Sequence, residues 1–253
     1  MRKNLTKEKI KEGKTAYGVF VSMYCPTIVE IIGHMGFDFV ILDAEHSPIE
    51  TESCEHMVRA ADSVNITPII RIAMNIRQNI LRYLDIGALG VLMPQINSKA
   101  EVETVIESVK YPPEGRRGLA GVRAANYGLT GSLGAYVKEA NRETMIIVQV
   151  ETTQAVDNLK EILAAPGTDV IFIGPSDLSS AMGYPGQVNH PEVQKMIDYL
   201  VKEIRTAGKA AGTVAYDLDT LRKCKERGFQ YIAYSVLPML VKSGREYLEA
   251  ARD

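Results

Sequence analysis

Short apolar runs alternate with helical patterns from one end of the chain to the other. The runs predict eight strands: Ala16–Ser22, Phe37–Leu42, Thr67–Ile72, Leu89–Met93, Met145–Val150, Asp169–Ile173, Ala210–Val214 and Gln230–Ser235. The first is the weakest, since it also reads as the start of a loop. Most are continuously apolar rather than alternating, the pattern of strands buried on both faces. Helical spacing fills the gaps. Ser98 and Glu101 form a capping box ahead of Val102, Val105, Ile106 and Val109. Pro191 precedes Val193, Met196, Ile197, Leu200, Val201 and Ile204 on one helical face. Asn75 is the expected cap of a segment holding Ile76, Ile80, Leu81 and Leu84. Gly36, Gly87, Gly167 and Gly228 stand just before four of the strands, where a left-handed residue ends the preceding helix.

Eight β-then-α units predict an α/β fold, a single TIM-type (β/α)8 barrel over residues 1–253, rather than an open sheet. An open doubly wound sheet usually carries a glycine-rich dinucleotide turn after its first strand, and Ser22-Met23-Tyr24-Cys25-Pro26 is not one. The length of 253 residues agrees, since such barrels typically take about 250. One segment breaks the rhythm: Tyr111–Gly131, with Arg116, Arg117 and Arg123, runs without periodicity. Stretches of about 20 such residues are uncommon unless they bind something, so this insertion is expected to be functional.

Composition narrows the function classes. Lys and Arg total 29 against 31 Asp and Glu, a net charge of −2, which gives no drive toward nucleic acid or an anionic membrane. No apolar run approaches the roughly 18 residues of a membrane span. The charged stretch Met1–Lys14 does not read as a secretory signal. Cys25, Cys54 and Cys224 are odd in number and far apart, which excludes a disulfide framework and a Cys-rich zinc site. A reducing, cytoplasmic location is expected.

In a barrel of this type, active sites lie where the strands end. Asp43, Glu45 and His46 follow the second run and Arg71 the third; Pro94 and Gln95 follow the fourth. Gln149 and Glu151 come at the end of the fifth, and Gly174, Pro175, Ser176 and Asp177 after the sixth. Singly, each is accounted for by a salt bridge or a helix cap. As a set they converge on one mouth, where buried charge needs partners. Glu151 and Asp177 end neighbouring strands. With water and a chelating substrate they make a hard oxygen site suited to Mg²⁺, Mn²⁺, Co²⁺ or a similar ion. Two acids also serve glycosidases, but that mechanism needs no arginine or histidine beside them. His46 suits a proton shuttle, with Asp85 as candidate orienter. Arg71 suits an enolate or carboxylate oxygen. The turn at Gly174–Ser179 offers backbone N–H groups for a carboxylate. No candidate strand holds a lysine in its C-terminal half, and Lys209 precedes the seventh, so an imine-forming aldolase is not expected.

Three segments carry a resemblance: Gly36-Phe37-Asp38-Phe39-Val40-Ile41-Leu42-Asp43-Ala44-Glu45-His46-Ser47-Pro48, Val148-Gln149-Val150-Glu151-Thr152 and Phe172-Ile173-Gly174-Pro175-Ser176-Asp177-Leu178-Ser179. Tyr111 to Gly118 and Met182 to Pro191 extend it. Together, in this order, they resemble the HpcH/HpaI family of class II, metal-dependent pyruvate aldolases, from about Gly18 to Ser235. The resemblance implies that Glu151 and Asp177 ligate the divalent ion. It implies His46 as general base acting through water, with Asp85 behind it, and Arg71 as stabiliser of the pyruvate enolate. Gln149, Gly174, Ser176 and Asp177 would contact the 2-oxo acid, with Asp43 and Glu45 as a supporting shell. Arg123 would reach an acidic or hydroxylated aldehyde. Thr153 and Gln154 depart from the Arg or Glu that family members carry there. The implied assembly is a homo-oligomer, a hexamer as a trimer of dimers that exchange the C-terminal helix. The expected reaction is reversible cleavage of a 4-hydroxy-2-oxo acid to pyruvate and an aldehyde. The alternatives are a carbon–carbon bond former on the same scaffold, citrate-synthase-like or oxaloacetate-using, and a non-catalytic metabolite-binding oligomer.

Overall fold

The computed structural model describes residues 1–252. Eight parallel strands follow one another around a closed barrel: β1 (Ala16–Val21), β2 (Phe39–Asp43), β3 (Thr67–Arg71), β4 (Gly90–Met93), β5 (Met145–Val150), β6 (Val170–Ile173), β7 (Ala210–Val214) and β8 (Tyr231–Ser235). Each pairs with the next, and β8 closes on β1 with Ala16 opposite Tyr231. All eight predicted strands are present, several trimmed by a residue or two. Asp38, for example, lies just outside β2 because its side chain accepts from the Tyr17 N–H and from Lys9.

Alternate strand residues serve two cores, which is why the runs are apolar throughout. Phe39, Ile41, Ile69, Leu92, Ile147, Phe172 and Tyr231 fill the barrel. Val19, Val40, Ile70, Val91, Val148 and Ile171 face outward onto helix residues such as Met57, Ile80, Val102, Leu200 and Ile204. Phe39 and Tyr231 stack with ring centroids 3.9 Å apart. A Cβ at residue 18 would come within 2.2 Å of the Phe39 ring, so glycine there makes room for it.

The helix Leu5–Lys11, not anticipated from the sequence, plugs the end of the barrel where the strands begin. Asn4 caps it, accepting from the Lys7 N–H at 2.9 Å, and donates to the Leu89 carbonyl. Thr6 donates to the Asp38 carbonyl, and Lys7 pairs with Asp169 at 3.0 Å. Ile10 reaches the inner core.

Local expectations are mostly met. Gly36, Gly87, Gly167 and Gly228 have φ between +86° and +99°, and Pro191 opens the helix Pro191–Thr206. Ser98 accepts from the Glu101 N–H, but Glu101 turns back to the N–H of Asn97, one residue before the capping-box position. Asn75 does not cap its helix, which runs Arg77–Asp85 after Ile76; its side chain instead donates to the Glu101 carbonyl.

The insertion Tyr111–Gly131 stands apart from the strand ends of its own barrel. It leaves the helix Lys99–Val109 and leads through the helix Leu133–Glu143 into β5. It therefore lies at the face where strands begin, opposite the strand ends. Its arginines are anchors. Arg117 donates to Asp85 at 2.8 Å, and Arg123 holds Asp62 at 2.5 Å and the Ile86 carbonyl at 2.7 Å. In the helix Val236–Ala250 only Val236 is buried, while Leu237, Leu240, Val241, Tyr247 and Leu248 are exposed. Among the described residues, no helix is long and apolar enough to cross a membrane.

Candidate active site

The strand ends opposite the plug surround a cavity of about 360 Å³. Asp43 and Arg71 are the last residues of β2 and β3 and are register partners. Their side chains form a bidentate pair: Arg71 Nε and Nη2 donate to the two Asp43 oxygens at 2.9 and 2.7 Å. This fork geometry fixes the guanidinium and leaves Nη1 without a protein acceptor. The Phe20 ring lies 4.9 Å from the guanidinium carbon. Burial pushes the Asp43 carboxyl up, but Arg71 and the N–H groups of His46 and Glu45 outweigh it and hold it below its ordinary value. Those two N–H groups bond Asp43 Oδ1, so one carboxylate sets both Arg71 and the turn that carries His46.

Glu45 lies 3.4 Å from Arg71 Nε and 3.7 Å from His46 Nε2, and its Oε2 is buried without a hydrogen bond. Its carboxyl is raised, first by burial and further by Asp43 and Asp177, against the pull of Arg71 and His46. The His46 ring is exposed on the rim and lines the cavity.

Glu151 follows β5 directly and is buried. Its Oε1 accepts the Gln95 N–H at 2.8 Å, and its Oε2 accepts from Gln149 Nε2. Gln95 reaches it from a left-handed backbone, φ +51°, a costly conformation for a residue with a side chain. Burial pushes the Glu151 carboxyl up to about 7; the Gln95 and Gln149 donors oppose this, and Asp177 and Glu45 add to it. Gly174, at the end of β6, is required by space: a Cβ there would stand 2.4 Å from Glu151 Oε2. After it begins the short helix Pro175–Ala181, which places Asp177 in the cavity wall.

The structure thus brings together Asp43, Glu45, His46, Arg71, Gln149, Glu151, Gly174, Ser176 and Asp177. It does not bring Asp85 or Arg123 to this cavity within the same chain. Asp85 ends a helix at the opposite face, where it is paired with Arg117. Tyr216 joins the site unanticipated. It follows β7 and its hydroxyl lies 2.9 Å from Ser176 Oγ. Ser22, Phe20 and Ser235 also line the cavity. Reading the polar residues after the seventh run, as after the second to sixth, finds Tyr216.

The donor set fits a divalent cation. Among the described residues, no three His, Cys, Asp or Glu side chains form a ready-made cage. Glu151 and Asp177 supply two hard oxygen donors, and their mutual repulsion with Glu45 is what a cation relieves.

Comparison with known proteins gives the family and the fold. A family model described as HpcH/HpaI aldolase/citrate lyase matches residues 16–241. A 2-keto-3-deoxy-L-rhamnonate aldolase of Salmonella gallinarum (strain 287/91 / NCTC 13346) is 36% identical over 237 residues, covering 94% of this chain and 88% of that one. The crystal structure of an HpcH/HpaI aldolase/citrate lyase family protein from Burkholderia cenocepacia J2315 superposes with a TM-score of 0.94 at 29% identity, covering 99% of this chain and 100% of that one. That of Citrate Synthase SbnG does so with 0.87 at 27% identity, covering 97% and 96%.

Proposed function

This chain belongs to the HpcH/HpaI aldolase/citrate lyase family, and on that premise we propose that it is a divalent-metal-dependent aldolase. It cleaves a 4-hydroxy-2-oxo acid to pyruvate and an aldehyde, and runs in reverse. The observation that carries this reading is the placing of two acids, Glu151 directly after β5 and Asp177 in the helix after β6, near a guanidinium fixed by Asp43. Glu151 and Asp177 would hold the ion, Mg²⁺, Mn²⁺ or Co²⁺. When bound, the ion supplies Lewis acidity to the oxygens of the 2-oxo acid.

The chain's own residues do the rest. Gln149 and the backbone N–H groups at Ser176 and Asp177 orient the 2-oxo carboxylate. His46, through water, takes the proton of the 4-hydroxyl. The C3–C4 bond then breaks: the aldehyde leaves, and the bond's electron pair becomes the enolate. Arg71 Nη1 faces the oxygen on which negative charge grows, and Asp43 keeps it aimed there. C3 then takes a proton to give pyruvate. The free cysteines fit a reducing, cytoplasmic setting.

Condensation with oxaloacetate is the second reading, favoured by the likeness to Citrate Synthase SbnG. It ranks lower because, among the described residues, Arg71 is the one Arg or Lys side chain lining the cavity, and two of its nitrogens are already paired. The test is release of pyruvate from 2-keto-3-deoxy-L-rhamnonate and related 4-hydroxy-2-oxo acids. Turnover should require added Mg²⁺, Mn²⁺ or Co²⁺ and vanish in EDTA. Cleavage indifferent to EDTA, or none across the panel, contradicts the reading.

A further inference from the structure

Hydroxyl groups ring the mouth of the active-site cavity. Ser22, Ser176, Tyr216 and Ser235 line it, above Phe20 and Phe172. Its lining cation, Arg71, has two of its three nitrogens on Asp43. Asp43 and Asp177 line the same space. Among the described residues lining the cavity, a carboxylate at the far end of an incoming aldehyde would find no second guanidinium and no ammonium to receive it. Arg123, the other guanidinium expected near the acceptor, is held at the opposite face of its own barrel by Asp62 and the Ile86 carbonyl.

Tyr216 and Ser176 form a defined polar pair, with hydroxyl oxygens 2.9 Å apart. One donates to the other. The pair therefore keeps one hydroxyl hydrogen and several lone pairs for a third group in the cavity. Tyr216 also lines two neighbouring cavities of about 460 and 270 Å³, so it stands where the site meets them.

We propose that the Tyr216–Ser176 hydroxyl pair is the acceptor subsite and that Tyr216 determines specificity, selecting a short, uncharged, hydroxylated aldehyde over one ending in a carboxylate. This rests on the aldolase reading above. Its origin is geometric: two hydroxyls poised at the mouth, and no spare cation beside them.

The test is condensation with pyruvate, comparing glycolaldehyde with propanal, in which a methyl replaces the hydroxyl, and with succinic semialdehyde. The unmodified enzyme should use succinic semialdehyde worst. Tyr216→Phe should lower the glycolaldehyde-to-propanal ratio of kcat/KM by about tenfold, the scale of one lost hydrogen bond. Taking the ratio between variant and parent cancels the intrinsic reactivity of each aldehyde. Exchange of the pyruvate methyl protons, which needs no acceptor, is followed alongside. An unchanged ratio with exchange present, or succinic semialdehyde as the best acceptor, overturns the subsite alone. Absence of exchange in the unmodified enzyme overturns the aldolase reading and the subsite with it.

Discussion

Glu151 is the residue on which the site turns, because it is placed where an ionised carboxylate is costly. Its folded-state value of about 7 stands above the ordinary 4.5. Between those values the folded chain holds a proton that the unfolded chain has lost. This group's contribution to stability therefore falls as pH rises from about 4.5 to 7. In the cation-free protein, the melting temperature relative to Glu151→Gln should drop between pH 5 and pH 8. A divalent ion, which needs the ionised form, should raise melting far more at pH 8 than at pH 5. Thermal melts in EDTA and in Mg²⁺ measure both. A metal-induced gain independent of pH would count against Glu151 as a ligand. Arg71 is the complementary residue: Asp43 neutralises much of its charge but fixes its direction.

Among the elements, the end of β6 is the most constrained. At Gly174 a Cβ would meet Glu151 Oε2 at 2.4 Å and Gln149 Nε2 at 2.7 Å. Gly174→Ala should displace both side chains, cost about 1–3 kcal/mol of stability and weaken metal affinity by roughly 10- to 100-fold. Chemical denaturation and metal titration measure these; an unchanged affinity would mean that Glu151 does not ligate. The β6 end was readable beforehand, as were all eight strands, because strands buried on two faces leave unbroken apolar runs and the polar residues after them mark the mouth. The helix Leu5–Lys11 was not, since four of its seven residues are charged and two of its three buried residues, Thr6 and Lys7, are polar. The insertion was recognised but not placed. Length and lost periodicity mark a segment as special, but only its neighbours in the chain place it. With the helix Leu133–Glu143 unrecognised, the segment was not seen to join two helices on the way into β5. The position of Asp85 follows the same rule. A residue that ends a helix faces the beginnings of the strands, so within its own barrel it is a barrel's length from His46.

At the scale of the whole molecule, the helix Val236–Ala250 leaves Leu237, Leu240, Val241 and Leu248 exposed. Beside it lies an apolar cavity of about 460 Å³, lined by Tyr17, Phe37, Leu221, Ile232 and Met239 among others. Exposed apolar surface of this kind marks an interface. We propose that a second copy covers it, by exchange of this helix between the subunits of a dimer, three such dimers making a hexamer. Light scattering should give an oligomer for the unmodified chain and a smaller species for Leu240→Asp; a monomer in both cases contradicts the assembly. The central claim, that an ion at Glu151 and Asp177 would support formation of the pyruvate enolate beside Arg71, is tested most directly by deuterium exchange into the methyl group of pyruvate in D2O. With Mg²⁺ or Mn²⁺ the unmodified protein should exchange those protons; in EDTA, or as Glu151→Ala, it should not. Full exchange in Glu151→Ala, or exchange untouched by EDTA, would contradict the account.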